Sequence, residues 1–227
     1  MSNQEVGDIN SAVMRELFRP GMAHAVATSQ NYRLKPRQHQ PRPQDLCPED
    51  TSNVSGLPPH ELVLKEGMPV VLLQNSQFNI RPAFFNGTTA IVKQWLKQGG
   101  PDSPISSVIC TITNGMNVGK EIYVERVEMK ASQPAPDPSA ELRPIRMRYH
   151  FPIQPMFAMT IRRCQGQTLS MGGIYLEEAV KGHGDLYVAL SRFSGSFRVV
   201  APCYVHPDDP ACTYTPNIVI KELLLDG

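Results

Sequence analysis

Two stretches of this chain combine residue types that can handle a polyanion. Residues 158–169 read AMTIRRCQGQTL. Arg162 and Arg163 offer planar, multidentate contacts to phosphate oxygens, and Thr160, Gln165 and Thr168 add neutral hydrogen bonds around the turn that holds Gly166. Residues 183–192 read HGDLYVALSR. Tyr187, Val188, Ala189 and Leu190 would bury such a helix and leave Ser191 and Arg192 exposed at its C-terminal end. By itself, an arginine there needs no purpose beyond complementing the helix dipole. Arg143, Arg146, Arg148, Arg162 and Arg163 fall between Leu142 and Arg163 with no Asp or Glu among them. A local basic stripe can hold a polyanion even though the whole chain carries only +1. From charge alone, a solvated face is the plainer reading.

Other chemistries fit poorly. Residues 115–121 (GMNVGKE) look at first like a phosphate loop. Three residues rather than four separate the glycines, and Glu121 stands where a Ser or Thr would hold magnesium. Lying between strand patterns, the segment reads better as a hairpin turn. There is no nucleophile elbow and no HExxH. The five cysteines form no CxxC pair, and Cys203, His206 and Cys212 make half a zinc site at most, so no metal is expected. Hydrophobic residues are 41% and charged residues 19%, an ordinary globular balance. Without a long apolar run or a signal peptide, the chain reads as intracellular, with no membrane partner.

The elements that must position these residues follow from periodicity. Ser2-x-x-Glu5 has the form of a capping box, and Val6, Ile9, Val13 and Leu17 recur at helical spacing, predicting a helix to about Phe18. Residues 21–59 show no sustained period and read as loop, with 33–43 basic, proline-punctuated and exposed. Strands are expected at 68–73, 88–92 and 108–113, with a further one through Ile122, Val124 and Val127. Asn86-Gly87 and Asn114-Gly115 mark turns, and the whole suits a small barrel or curled sheet. Residues 133–144 form a connector. Residues 145–151 alternate apolar and basic, predicting a strand with one face of each kind. Pro155 is expected to open a compact apolar helix through about Arg163. A strand at 174–176, a helix at 184–193 and a strand at 197–200 make a βαβ unit with a parallel sheet.

Residues 158–169 and 183–192 closely resemble the AMTINKAQGQTL and HGQLYVALSR segments of the Pif/RecD branch of superfamily-1 DNA helicases, most of all those of Helitron transposons. Residues 55–60 (SGLPPH), 85–92 (FNGTTAIV), 119–127, 146–157 and 215–222 are similar to further family segments in the same order. The resemblance implies an α/β fold, a second RecA-like motor domain (P-loop NTPase type) formed by 1–75 and 140–227. An SH3-like β subdomain and connector would be inserted at 76–139. It implies that Arg192 is an arginine finger, the one catalytic group here. Gln165, Gly166, Thr168 and Arg192 would then be nucleotide-binding, and Thr160, Arg162, Arg163, Arg146 and Arg148 would face single-stranded DNA.

The family's Walker A loop and paired-acid magnesium motif have no counterpart in this sequence; they lie upstream in the family, in its first RecA-like domain. The resemblance thus implies the C-terminal half of a nuclear, 5′–3′ ATP-dependent helicase of DNA repair, recombination and telomere maintenance. The parent would hold Mg-ATP between two lobes, and this truncated chain alone would bind no nucleotide tightly and hydrolyse none. Three positions depart from the pattern. Arg162 and Arg163 replace Asn or His and then Lys, keeping charge but altering contact geometry, and Asp185 replaces Gln. A non-catalytic single-strand-binding module and an inactive helicase remnant are the competing readings.

Overall fold

The computed structural model describes residues 3–17, 23–35, 40–49, 57–76, 82–100, 102–131, 145–169, 171–180, 182–201, 204–206 and 209–214. Two compact units emerge. One comprises Asn10–Phe157, and the other Met1–Ile9 with Ala158–Gly227. Helix α1 (Asn3–Leu17) begins the chain. Strands follow as β1 (His24–Thr28), β2 (Gln30–Leu34), β3 (Glu61–Lys65), β4 (Pro69–Leu72), β5 (Thr89–Lys97), β6 (Ile105–Ile112) and β7 (Glu121–Glu125). Then come β8 (Val127–Lys130), β9 (Ile145–His150), β10 (Ile153–Pro155), β11 (Gly172–Tyr175), helix α2 (Asp185–Leu190), β12 (Phe197–Val200), β13 (Tyr204–His206) and β14 (Asp209–Tyr214). The mixed α/β class is as expected. The capping residue Ser2, the connector 133–144 and the segment 215–222 lie outside the described residues.

In the larger unit an antiparallel five-stranded sheet runs in the order β10-β4-β5-β6-β7. β4 and β7 alternate buried residues with more exposed ones, as period-two patterning requires, whereas β6 buries Val108, Ile109 and Cys110 in succession. Val70, Leu72, Val92, Val108, Ile122 and Val124 are fully or almost fully buried in one core. Each such side chain contributes about 1.5–3 kcal/mol of burial free energy. Register shifts between Val92 and Gln94 and between Leu96 and Lys97 kink β5, which bends and twists the sheet locally. The sheet's membership crosses the expected insertion, since β4 and β10 come from outside 76–139.

Within 21–59, read from sequence as loop, the described residues include two strands, β1 and β2. β1 pairs with β3 from His24↔Lys65 to Thr28↔Glu61, and β2 pairs with β9 from Gln30↔Tyr149 to Leu34↔Ile145. Polar Ser29 and Asn31 broke the apolar alternation that would have announced these strands. Both are buried because they bond to other polar groups rather than to water. Leu34, in the segment expected to be exposed, is wholly buried.

The strand expected through Ile122, Val124 and Val127 divides at Arg126. β7 stays with β6, while β8 joins a second sheet of order β2-β9-β8. Arg126 explains the switch: Nη1 donates to the Thr28 carbonyl at 2.7 Å, and its guanidinium sits 4.8 Å from the centre of the Phe151 ring.

The helix expected from Pro155 does not form. Pro155 pairs with Val70, the Met156 amide donates to the Pro69 carbonyl at 3.0 Å, and the Phe157 amide donates to Asn10 Oδ1 at 2.8 Å. Those amides are committed to the sheet edge and to α1, so the chain turns helical only as a short 3-10 segment at Ile161–Cys164. In the smaller unit, β11 and β12 pair in parallel from Gly172↔Phe197 to Tyr175↔Val200 with α2 between them. The βαβ expectation stands, with a helix shorter than 184–193.

Candidate functional site

The segment 158–169 enters its turn through Thr160, whose carbonyl accepts from the Arg163 amide at 3.0 Å and the Cys164 amide at 3.3 Å. Cys164 is buried, and its thiol donates to the Ile161 carbonyl at 2.9 Å. Arg162, Arg163, Gln165, Gly166 and Thr168 are exposed, and Thr160 is half-buried. Gly166 takes φ +79°, a left-handed conformation that costs an L side chain about 1–2 kcal/mol. The Gln167 amide closes the turn on the Cys164 carbonyl at 3.0 Å, and its side chain donates to the Arg163 carbonyl at 3.2 Å.

Helix α2 approaches the same turn. Its last amides bond back regularly, Ser191 to the Tyr187 carbonyl at 2.9 Å and Arg192 to that of Ala189 at 3.3 Å. The Arg192 carbonyl then accepts from the Leu169 amide at 2.8 Å, and the Ser194 amide donates to the Leu169 carbonyl at 3.0 Å. Phe193 bridges Leu169 in parallel and stacks on Phe197, with ring centroids 4.8 Å apart. Gly172 makes room for that ring, because a Cβ there would stand 2.9 Å from Phe193 Cε1. Two motifs 23 positions apart in sequence, Leu169 and Arg192, are therefore stitched together through the backbone.

The Arg192 side chain is half-buried and folds back over its own helix end. Nε donates to the Val188 carbonyl at 3.2 Å, and Nε and Nη2 approach Ser191 Oγ at 3.3 and 2.9 Å. Its charge is felt across the junction at Cys164. Burial pushes the Cys164 thiol up from its ordinary value, and the Arg192 charge opposes that rise. Gln165, Gly166, Thr168 and Arg192 thus lie on two adjoining elements.

The five expected DNA-facing residues are divided between the two units. Arg162 and Arg163 are exposed on the 3-10 segment of the smaller unit, with half-buried Thr160 before them. Arg146 is exposed on β9 of the larger unit. Arg148 is only 2% exposed. The expectation that it faces DNA is corrected: β9 is the central strand of its sheet, covered on both sides. Arg148 Nε donates to Asn31 Oδ1 at 2.7 Å, directly across the β2–β9 register, and Nη1 donates to the Pro58 carbonyl. Ser29 Oγ and Asn31 Nδ2 lie 2.8 and 3.1 Å from His60 Nδ1, tying the SGLPPH segment to the same group. This is a structural network, and the basic face read from alternation does not exist at position 148.

The GMNVGKE segment is the hairpin between β6 and β7. Ile112 donates to the Lys120 carbonyl at 3.0 Å, and the Gly119 amide donates to that of Ile112 at 2.8 Å. A strand follows instead of the helix a phosphate loop needs. Among the described residues no group of three or more His, Cys, Asp or Glu side chains could hold a metal; Cys203 lies outside them. No described helix is long and apolar enough to cross a membrane. What sequence reasoning passed over was Ser191, read only as exposed; its adjacency to Arg192 at a helix end was the available signal.

Comparison with known proteins gives consistent results. Residues 49–95 match the family model for the DNA helicase Pif1 2B domain. A curated relative, the ATP-dependent DNA helicase PIF6 of Trypanosoma brucei brucei, is 36% identical over 132 residues. That match covers 58% of this chain and 15% of the relative. The Pif1 helicase of Candida albicans superposes with TM-score 0.60 at 21% identity, covering 88% of this chain and 43% of that one. Bacteroides Pif1 bound to single-stranded DNA superposes at 0.58 and 20%, covering 99% and 42%. The chain spans less than half the length of these structures and a small fraction of the curated relative.

Proposed function

We infer that this chain, which belongs to the Pif1-type superfamily-1 helicases and corresponds to a C-terminal part of one, supplies the DNA-gripping turn and the arginine finger of an ATP-driven motor. The observation that carries the reading is the backbone tie between Leu169 and Arg192. It places the end of the YVALSR helix beside the exposed QGQT turn, a junction at which nucleotide and DNA contacts would meet. Arg192 would neutralise charge developing on the γ-phosphate of Mg-ATP, with magnesium and the β- and γ-phosphates held by a first RecA-like lobe. Gln165, Gly166 and Thr168 would relay nucleotide state to the strand, and Thr160, Arg162 and Arg163 would contact its backbone, with Arg146 as a further contact. The SH3-like insertion at 76–139 would guide the strand; the kinked antiparallel strands β5 to β7 favour that role.

The parallel pair β11–β12 supports a partner lobe. All four β12 residues, Phe197 to Val200, are exposed, whereas parallel sheets are ordinarily covered on both faces. A neighbouring motor lobe, in the same parent polypeptide or supplied in trans, would cover such a surface.

Fluorescence anisotropy with a labelled single-stranded oligonucleotide tests the DNA half of this reading. Binding is expected to weaken steeply between 50 and 200 mM salt, with a log–log slope of roughly −0.7 per neutralised phosphate. Arg162→Ala with Arg163→Ala should flatten that slope by about one unit or more. No binding even at low salt would refute it. The purified chain is expected to show no DNA-stimulated ATP hydrolysis.

A further inference from the structure

The Arg192 guanidinium has a single side-chain partner among the described residues, the hydroxyl of its own neighbour. Ser191 Oγ donates to the Val188 carbonyl at 3.1 Å and faces Arg192 Nε at 3.3 Å and Nη2 at 2.9 Å. The directions are consistent: the one hydroxyl proton goes to Val188, which leaves the oxygen lone pairs to accept from the guanidinium. The Val188 carbonyl also accepts from Arg192 Nε at 3.2 Å, so serine, arginine and carbonyl close a small ring at the helix end. Held on its Nε edge, the planar fork is restrained about its last carbon bonds. Nη1 and the second Nη2 proton meet no acceptor among the described residues and remain for an incoming anion.

We propose that Ser191 is the positioning residue for Arg192, fixing the direction in which the guanidinium is presented. This rests on the reading of Arg192 as the group that meets a nucleotide phosphate. An arginine with four free torsions must be ordered when the anion arrives, and prior ordering by the adjacent hydroxyl removes that cost. Threonine keeps the oxygen and its geometry; alanine removes it while leaving an exposed helix end that still folds. Ser191 therefore acts on the anion only through Arg192.

Proton exchange at the arginine Nε–Hε groups of the purified chain tests this directly, with the Arg192 signal assigned by its loss in Arg192→Lys. The native signal should exchange slowly. Ser191→Ala should speed its exchange by roughly tenfold, the worth of one hydrogen bond to a charged group. Ser191→Thr should restore the native rate to within about twofold on the same reasoning, and the α2 backbone amides should be unmoved in both variants. Unchanged exchange in Ser191→Ala would overturn the proposal, because the Val188 carbonyl alone would then hold the fork. Loss of the α2 amide pattern would also overturn it, because the hydroxyl would then be holding the helix. Neither outcome depends on whether the chain binds DNA, so failure here is distinct from failure of the functional reading.

Discussion

At the residue scale, His150 and Arg148 show how burial changes what a polar side chain can do. His150 is fully buried, and neither ring nitrogen has a hydrogen-bond partner among the described residues. Burial, with the Arg126, Arg148 and His60 charges, holds its pKa down to about 3 from 6.5. The neutral imidazole is therefore the folded form, and stability from this group is complete above pH 6.5 and lost as pH falls toward 3. Between pH 7 and pH 5 the loss should be about 2 kcal/mol, at 1.36 kcal/mol per pKa unit. Urea unfolding at the two pH values checks it, and His150→Phe should flatten the difference without leaving a partner unpaired. Arg148→Ala should destabilise by about 3 kcal/mol, since it strands buried acceptors on Asn31 and Pro58. The same variant should leave the salt slope of DNA binding unchanged, unlike Arg162→Ala with Arg163→Ala. Alternation of Arg146 and Arg148 with apolar residues was legible in the sequence. That β9 would be a central strand with β2 across from it was not, because Ser29 and Asn31 hid the partner strand.

At the element scale, the local rules succeeded where one period dominated and failed where tertiary partners competed for amides. α1 and the βαβ order of β11, α2 and β12 follow from their spacing. The helix expected after Pro155 lost its amides to the Pro69 carbonyl and to Asn10, neither of which is near in sequence. The glycine-lysine segment was legible as a hairpin because a carboxylate stood at the magnesium position and strands flanked it. Lys120→Ala should accordingly cost less than about 0.5 kcal/mol, as an exposed substitution, and leave DNA affinity unchanged; a loss of nucleic-acid binding there would contradict the hairpin assignment. Gly172→Ala should be costly for a different reason. Its methyl would press on the Phe193 ring at 2.9 Å, loosening the tie that carries Arg192 at an overpacking cost of about 1–3 kcal/mol. A denaturant melt of the variant reads that cost.

At the scale of the whole molecule, family segments were legible because they were short and dense with unusual residues, and they survive wherever the described residues include them. Which strands share a sheet was not legible in the same way, because β10 comes from far along the chain to pair with β4 at the edge of the sheet that also holds β5, β6 and β7. The central claim is that Arg192 serves a phosphate held on another lobe, beside a turn that serves DNA. The direct measurement is DNA-stimulated ATP hydrolysis by this chain joined in frame behind the first RecA-like domain of a Pif1-type relative, with and without Arg192→Ala. The account predicts that kcat falls by roughly 10³-fold or more, as for other arginine fingers, while affinity for single-stranded DNA stays the same. Equal turnover in the two proteins would contradict it.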